Sequence, residues 1–244
     1  MNVCLNVLAR GALLAACLLS AQANASVVIA ATRVIFPAEQ PEVTVKLSNV
    51  GSHPSLVQAW IDEGDPQVPL DQLRVPFSLT PPLFRLDPGK AQSLRVFHTG
   101  EAMPADRESL FWLNVLEVPP KGAGNFLQFS LRSRIKLLYR PSGLPGKAVD
   151  AHQALTWRAT RAGKAWAVQA DNAGPYFVNL AKLNIHLGEQ VVSLTPAHVP
   201  PFSSTRFALG RHLGDATLEL RYSIIDDYGA VREVPAASKV PWGE

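Results

Sequence analysis

The chain has 244 residues, 47% of them apolar and 18% charged, with a formal net charge of +3. That is a globular composition with room for one large domain or two of ordinary size. So small a charge makes no electrostatic case for nucleic acid, and twenty prolines against sixteen glycines favour short strands and fixed turns over long helices.

Residues 1–25 carry a single charge, Arg10, then the apolar run Ala12–Leu19 and the ending Ala23-Asn24-Ala25. A positive flank, a short apolar core and an A-x-A ending describe a secretory signal peptide with Ser26 as the mature N-terminus. A membrane anchor is the poorer reading, because the run falls well short of the ~20 residues that span a bilayer. Both cysteines, Cys4 and Cys17, lie in this leader. The mature chain therefore has no disulfide and no thiol chemistry, and loss of Arg10 lowers its charge to +2. Export without an anchor places it in the periplasm of a Gram-negative source, or outside the cell otherwise.

Beyond the leader, strand patterns follow one another. Ser26–Phe36 reads as one strand stopped by Pro37, and Val43, Val45 and Leu47 alternate with polar residues in 42–49. Leu56–Ile61 is a third strand, with Trp60 expected to plug the core. Proline-rich 66–82 reads as a crossing between sheets rather than a helix. Residues 84–86 lead into the Asp87-Pro88-Gly89-Lys90 turn, and 91–98 and 108–118 are further strands.

The longest pattern lies within Asn125–Pro141. Leu127, Phe129, Leu131, Ile135, Leu137 and Tyr139 alternate, which predicts one strand over 126–139. Fourteen residues at ~3.3 Å each extend roughly 46 Å, more than one small sandwich needs. Arg132, Arg134 and Lys136 recur on its other face; a solvated face that discourages edge pairing is the plain reading. About seven strands within roughly 115 residues and no convincing helix form an immunoglobulin-like pattern, here without a disulfide. Residues 141–147 are a linker by composition. Six further strand-like runs, at 154–159, 164–169, 176–187, 190–194, 203–209 and 216–225, suggest a second β-sandwich over 148–244.

Catalytic signatures are missing. His53, His98, His152, His186, His198 and His212 form no metal-ligand spacing, so turn and surface positions are their default. No G-x-S-x-G marks a serine nucleophile. The basic face has no aromatic residues interleaved along the strand, which argues against nucleic acid. Neither an enzyme nor a cofactor or metal is expected.

Residues 103–119, MPADRESLFWLNVLEVP, resemble the diagnostic segment of the periplasmic pilus-assembly chaperones of the chaperone–usher pathway, the PapD-like family. Ile135–Pro141 and the pair Thr32-Arg33 resemble two further blocks, and 172–180 and 226–229 two weaker ones. Gly174 stands where the family usually has threonine. The resemblance implies an all-β protein of two immunoglobulin-like domains at an angle around a cleft, with the leader at 1–25, domain one at 26–140, the linker at 141–147 and domain two at 148–244. It implies a periplasmic chaperone that lends its long strand to a pilus subunit lacking one, a form of β-augmentation, and hands the subunit to an outer-membrane usher.

The resemblance also assigns roles. Leu127, Phe129 and Leu131 are the side chains lent to the subunit, unless they are ordinary core residues of domain one. Arg33 and Lys136 anchor the subunit's C-terminal carboxylate. Glu108, Arg140 and Asp227 form an ion network between the domains, with Asp226 as the alternative to Asp227. The short, cysteine-free connection at 120–124 resembles the family's short-loop branch. Partners implied are the subunit and the usher, with no membrane insertion, and a second copy of the chain capping the exposed edge. One geometric problem follows from parity: the odd-numbered lent residues and even-numbered Lys136 face opposite ways, so the strand must twist strongly or bulge between them. The competing reading is a secreted two-domain adhesion or structural module.

Overall fold

The computed structural model describes residues 26–122, 128–162, 165–188, 190–209, 218–235 and 237–240. Residues 26–140 build a sandwich from β1 (Val27–Ile29), β2 (Arg33–Pro37), β3 (Glu42–Asn49), β4 (Ser55–Asp62), β5 (Phe77–Thr80), β6 (Leu83–Leu86), β7 (Ala91–His98), β8 (Ser109–Val118) and β9 (Leu131–Arg140). One sheet runs β1-β3-β7-β5 and the other β2-β9-β8-β4-β6. Every second residue of the main strands points between them, so Phe36, Leu47, Val57, Leu94, Val96, Leu113 and Leu137 are fully buried. At one end the core is aromatic: the rings of Phe36, Phe77, Phe111 and Tyr139 pack edge-to-face or stacked, with centroids 5.0–6.2 Å apart. His98 joins this cluster, 5.2 Å from Tyr139, so it is neither a turn nor a surface histidine.

The second sandwich contains β10 (Leu155–Ala162), β11 (Ala165–Asn172), β12 (Val178–Leu187), β13 (Gln190–Leu194), β14 (His198–Val199), β15 (Ser203–Ala208), β16 (Leu218–Ile225), β17 (Val231–Glu233) and β18 (Ala237–Val240). A β10-β11-β15 sheet faces a β13-β12-β16-β17 sheet, to which β14 and β18 add along β12 and β16. Val168, Ala170, Leu183, Ile185, Leu218 and Leu220 fill the space between. The fold is all-β, two immunoglobulin-like sandwiches in sequence. At Gly174 a side chain would meet the Ala154 methyl at 3.1 Å, which accounts for glycine at this turn.

Four local expectations need correction. The stretch 26–36 is two strands: β1 pairs with β3 in one sheet, and after Ala30–Thr32 the chain crosses so that β2 pairs with β9 in the other. Trp60 does not plug the core; Val57, Ala59 and Ile61 do, and period two turns Trp60 to the outer face of the sheet. The crossing at 66–82 contains strand β5. The long strand is shorter than its alternation: β9 begins at Leu131, and Gln128–Ser130 are not in a strand. The reason is the neighbour, since β8 ends at Val118 and its last paired residue, Glu117, lies opposite Leu131. Without a ladder partner Gln128–Ser130 have nothing to pair with among the described residues.

Candidate functional site

Strand β9 carries the candidate site, and its two halves have different surroundings. Along its whole length it pairs with β8 in unbroken antiparallel register, from Ser109↔Tyr139 to Glu117↔Leu131. On the other edge β2 runs parallel to it but only from Arg33↔Lys136 to Pro37↔Arg140. Among the described residues, nothing pairs with the other edge of residues 131–135. At this end Leu131 is 46% exposed, and Phe129, just before the strand, is 74% exposed. Leu127 lies outside the described residues. The unbroken register means that no bulge separates Leu131 from Lys136; Leu131 keeps the parity of the core residues Ile135, Leu137 and Tyr139, and Lys136 keeps the opposite one.

The parallel register sets Arg33 directly beside Lys136, on the face turned toward the second domain. Arg33 is 9% exposed and donates from Nη1 to the Ile225 carbonyl, 3.2 Å away. Its Nε is buried, and among the described residues nothing accepts from it. Burial pulls the guanidinium below its ordinary value, and the carboxylates of Asp227 and Asp226 oppose that pull. Lys136 donates from Nζ to Asn179 Oδ1 and lies 5.8 Å from the centre of the Trp112 ring. Burial, with the Arg33 charge adding to it, lowers the Lys136 ammonium to about 8. Two cations held this close in a partly dry cleft favour an anion between them, and a carboxylate suits both donors.

Domain two supplies the facing wall. Asn179 on β12 pairs with His198 on β14. His198 packs 5.5 Å from the Phe177 ring, and burial, then the Lys136 charge, holds its imidazole down at about 4. Asn179 falls within the weakly matching block 172–180, but no motif marks His198. Only the pairing of β12 with β14, which the sequence does not announce, sets them together.

Below the cation pair the domains are clasped. Arg140 Nε donates to Glu108 Oε1 at 2.7 Å, and its Nη1 and Nη2 donate to the two Asp227 oxygens at 2.8 and 2.9 Å. Glu108 also accepts from Phe177 N at 2.8 Å, and its own N–H donates to Pro175 O at 2.9 Å. Burial raises the Glu108 carboxyl against the pull of Arg140. Burial likewise works against the Arg140 charge, but Asp227 and Glu108 outweigh it and hold the guanidinium above its usual value. Of the two aspartates, Asp227 meets Arg140. Asp226 instead shapes the turn, accepting from Tyr228 N and Ala230 N and pairing with Arg232.

Above the pair, the basic face of β9 is not simply solvated. Arg132 and Arg134 lie 4.8 and 4.5 Å from the centres of the Trp60 and Trp112 rings, which neighbouring β4 and β8 contribute. Asp62, 1% exposed, accepts from Asn114 Nδ2 at 2.7 Å, from Gly64 N at 2.8 Å and from both arginines. The aromatic partners missing from the strand itself come from across the sheet, and the cations are committed to them and to Asp62.

Residues 26–145 match the family described as pili and flagellar-assembly chaperone, PapD N-terminal domain, and residues 150–236 match the pili assembly chaperone PapD, C-terminal domain. The chaperone protein FimB/FhaD of Bordetella pertussis is 46% identical over 241 residues, covering 96% of each chain. Among solved structures, the CupB2 chaperone of Pseudomonas aeruginosa is 38% identical, with a TM-score of 0.71 over 86% of this chain and all of that one. The SafB chaperone, solved in complex with the Salmonella enterica SafA pilin, is 30% identical, with a TM-score of 0.72 over 88% of this chain and 96% of the other.

Proposed function

The chain belongs to the PapD-like family of pilus-assembly chaperones, both of whose domains it matches, and on that premise we propose how it holds a pilus subunit. Its role is non-enzymatic chaperoning of subunits, and the family matches favour this over a secreted adhesion or structural module. The observation that carries the reading is a half-open strand leading from exposed Phe129 and Leu131 down to two adjacent cations, Arg33 buried and Lys136 half-buried.

A subunit strand pairs with the open edge at 131–135, which satisfies backbone groups that would otherwise seed aggregation. Leu127, Phe129 and Leu131 enter the subunit's incomplete core, each burial contributing about 1.5–3 kcal/mol before the cost of ordering the partner. The subunit's C-terminal carboxylate binds Arg33 and Lys136 and displaces Asn179 from the ammonium, fixing the register of the zipper. Glu108, Arg140 and Asp227 hold the domains at the angle the cleft requires. The mature protein starts at Ser26 and works in the periplasm, where it delivers subunits to an outer-membrane usher. The linker at 141–147 separates the two working units. Without a subunit, the open edge is capped by a second copy of the chain.

Co-expression with a candidate subunit, followed by co-purification, tests this. The wild-type chain recovers soluble subunit; Arg33→Ala, Lys136→Ala and Phe129→Glu lose it while each variant stays folded alone. Undiminished recovery by the first two overturns the anchor. An unfolded Phe129→Glu protein makes Phe129 a core residue and overturns the lent-strand assignment.

A further inference from the structure

We infer that His198 is a third residue of the carboxylate site, contributed by domain two, and that it makes carboxylate capture tighten as the surroundings acidify. The inference rests on the anchor reading of Arg33 and Lys136.

The geometry starts from Lys136, whose ammonium already touches Asn179 on the far wall of the cleft. Asn179 and His198 are direct partners across an antiparallel pair, so their side chains emerge on the same face of the sheet. The imidazole therefore stands beside the amide that contacts the anchor, steadied by the Phe177 ring at 5.5 Å. It lies close enough to Lys136 to feel its charge. The nearest acid among the described residues is Glu108, which accepts from Phe177 N and is already paired with Arg140. Phe177, just before β12, and Asn179 on it line this wall, and from β15 Thr205 Oγ1 donates to the His198 carbonyl at 3.3 Å. Arg206 is occupied by Gln169 at 2.8 Å, and Asp171 is bound by Ser204 and Gln169. Of the other cations, Arg140 is neutralised by Glu108 and Asp227, and Arg33 sits beyond Lys136 under the field of Asp226 and Asp227.

In the empty cleft this imidazole is neutral at pH 7 and has one N–H to donate. Burial is the larger cause of that suppression and stays; a carboxylate arriving between Arg33 and Lys136 cancels the lesser one, the Lys136 charge, and offers an acceptor to a doubly protonated ring. Binding then raises the imidazole's affinity for a proton. By linkage, a ligand that promotes proton uptake binds more tightly as pH falls through the bound-state value. Lys136, at about 8, is mostly charged throughout pH 5.5–7.5, and a terminal carboxylate is ionised there. That window isolates the histidine.

The test uses the full mature chain and a synthetic ten-residue peptide of alternating valine and threonine, with no Asp, Glu or His. One form ends in a free carboxylate and its twin is C-terminally amidated. Calorimetric titration should show the free acid binding about three- to fivefold more tightly at pH 5.5 than at pH 7.5. His198→Gln should flatten that ratio to near one. If free acid and amide bind equally at both pH values, the anchor reading itself fails. If binding needs the carboxylate but is flat with pH in the wild type, or keeps its slope in His198→Gln, the anchor stands and the His198 inference is overturned. A measurement on the unmutated chain guards against a misfolded variant. The NMR titration midpoint of the His198 ring should lie well below that of a free imidazole in the empty protein, because of burial and then Lys136, and should rise on adding the free-acid peptide. No movement overturns the inference.

Discussion

Strand β8 lines both halves of β9, but only Lys136–Arg140 has a second neighbour, the parallel β2. In that lower half Leu137 and Leu138 are buried and Arg140 is tied to two acids. In the upper half Leu131 is exposed and the strand dissolves before Phe129. Apolar residues of one parity run through both halves, broken only at Ser133. What differs is the company, and the comparison teaches that a period-two pattern specifies readiness to pair, while the presence of a neighbour decides whether the pairing is internal or offered outward.

The most severe way to break this contrast acts on the lower half. Arg140→Ala strips the counter-charge from Glu108, of which only 1% of the side chain is exposed, and should cost about 3–5 kcal/mol in urea unfolding. The exposed pair Arg95–Glu42 provides the control, and Arg95→Ala should leave the urea midpoint nearly unchanged. Leu137→Ala opens a cavity in a closed core and should cost about 2–5 kcal/mol in the same assay.

A subtler probe is pH. The Lys136 ammonium is lowered to about 8 in the folded chain against an ordinary 10.5, so between these values the unfolded chain binds more protons. Stability of the free protein should therefore rise with pH across that window, and Lys136→Met should remove this rise. Capture of a carboxylate should weaken over the same range as the ammonium is lost. The smallest effect belongs to the upper half: Phe129→Ser should change the stability of the free chain by no more than about 0.5 kcal/mol. A larger loss would mean that this end of the strand is packed at home after all.

Much of this arrangement was legible in the residues. Alternation located most strands, and the block at 103–119 with Arg33 and Lys136 pointed to the family and to the cation pair that the β2–β9 register sets side by side. Facing was less legible. Trp60 looks like core because it is large and apolar, yet parity gives the inside to Val57, Ala59 and Ile61 and leaves the indole as a platform for Arg132. The end of β9 was hidden because it depends on where β8 stops, a property of another segment. His198 was unreadable for the same reason: 62 residues separate it from Lys136, and only strand pairing and the meeting of two domains bring them together.

The parallel pairing of β2 with β9 also sets an order of events. Synthesis releases β2 early, and its partner follows only after roughly a hundred further residues, so this contact closes one of the widest loops in domain one. Arg33 and Lys136 become neighbours when that loop closes. A chain still emerging has the first cation without the second, and a truncated chain ending before β9 never acquires it. If this pair is the proposed docking point for a client, that point is a late product of folding, and the protein is unable to engage another immature chain until it has ceased to be one.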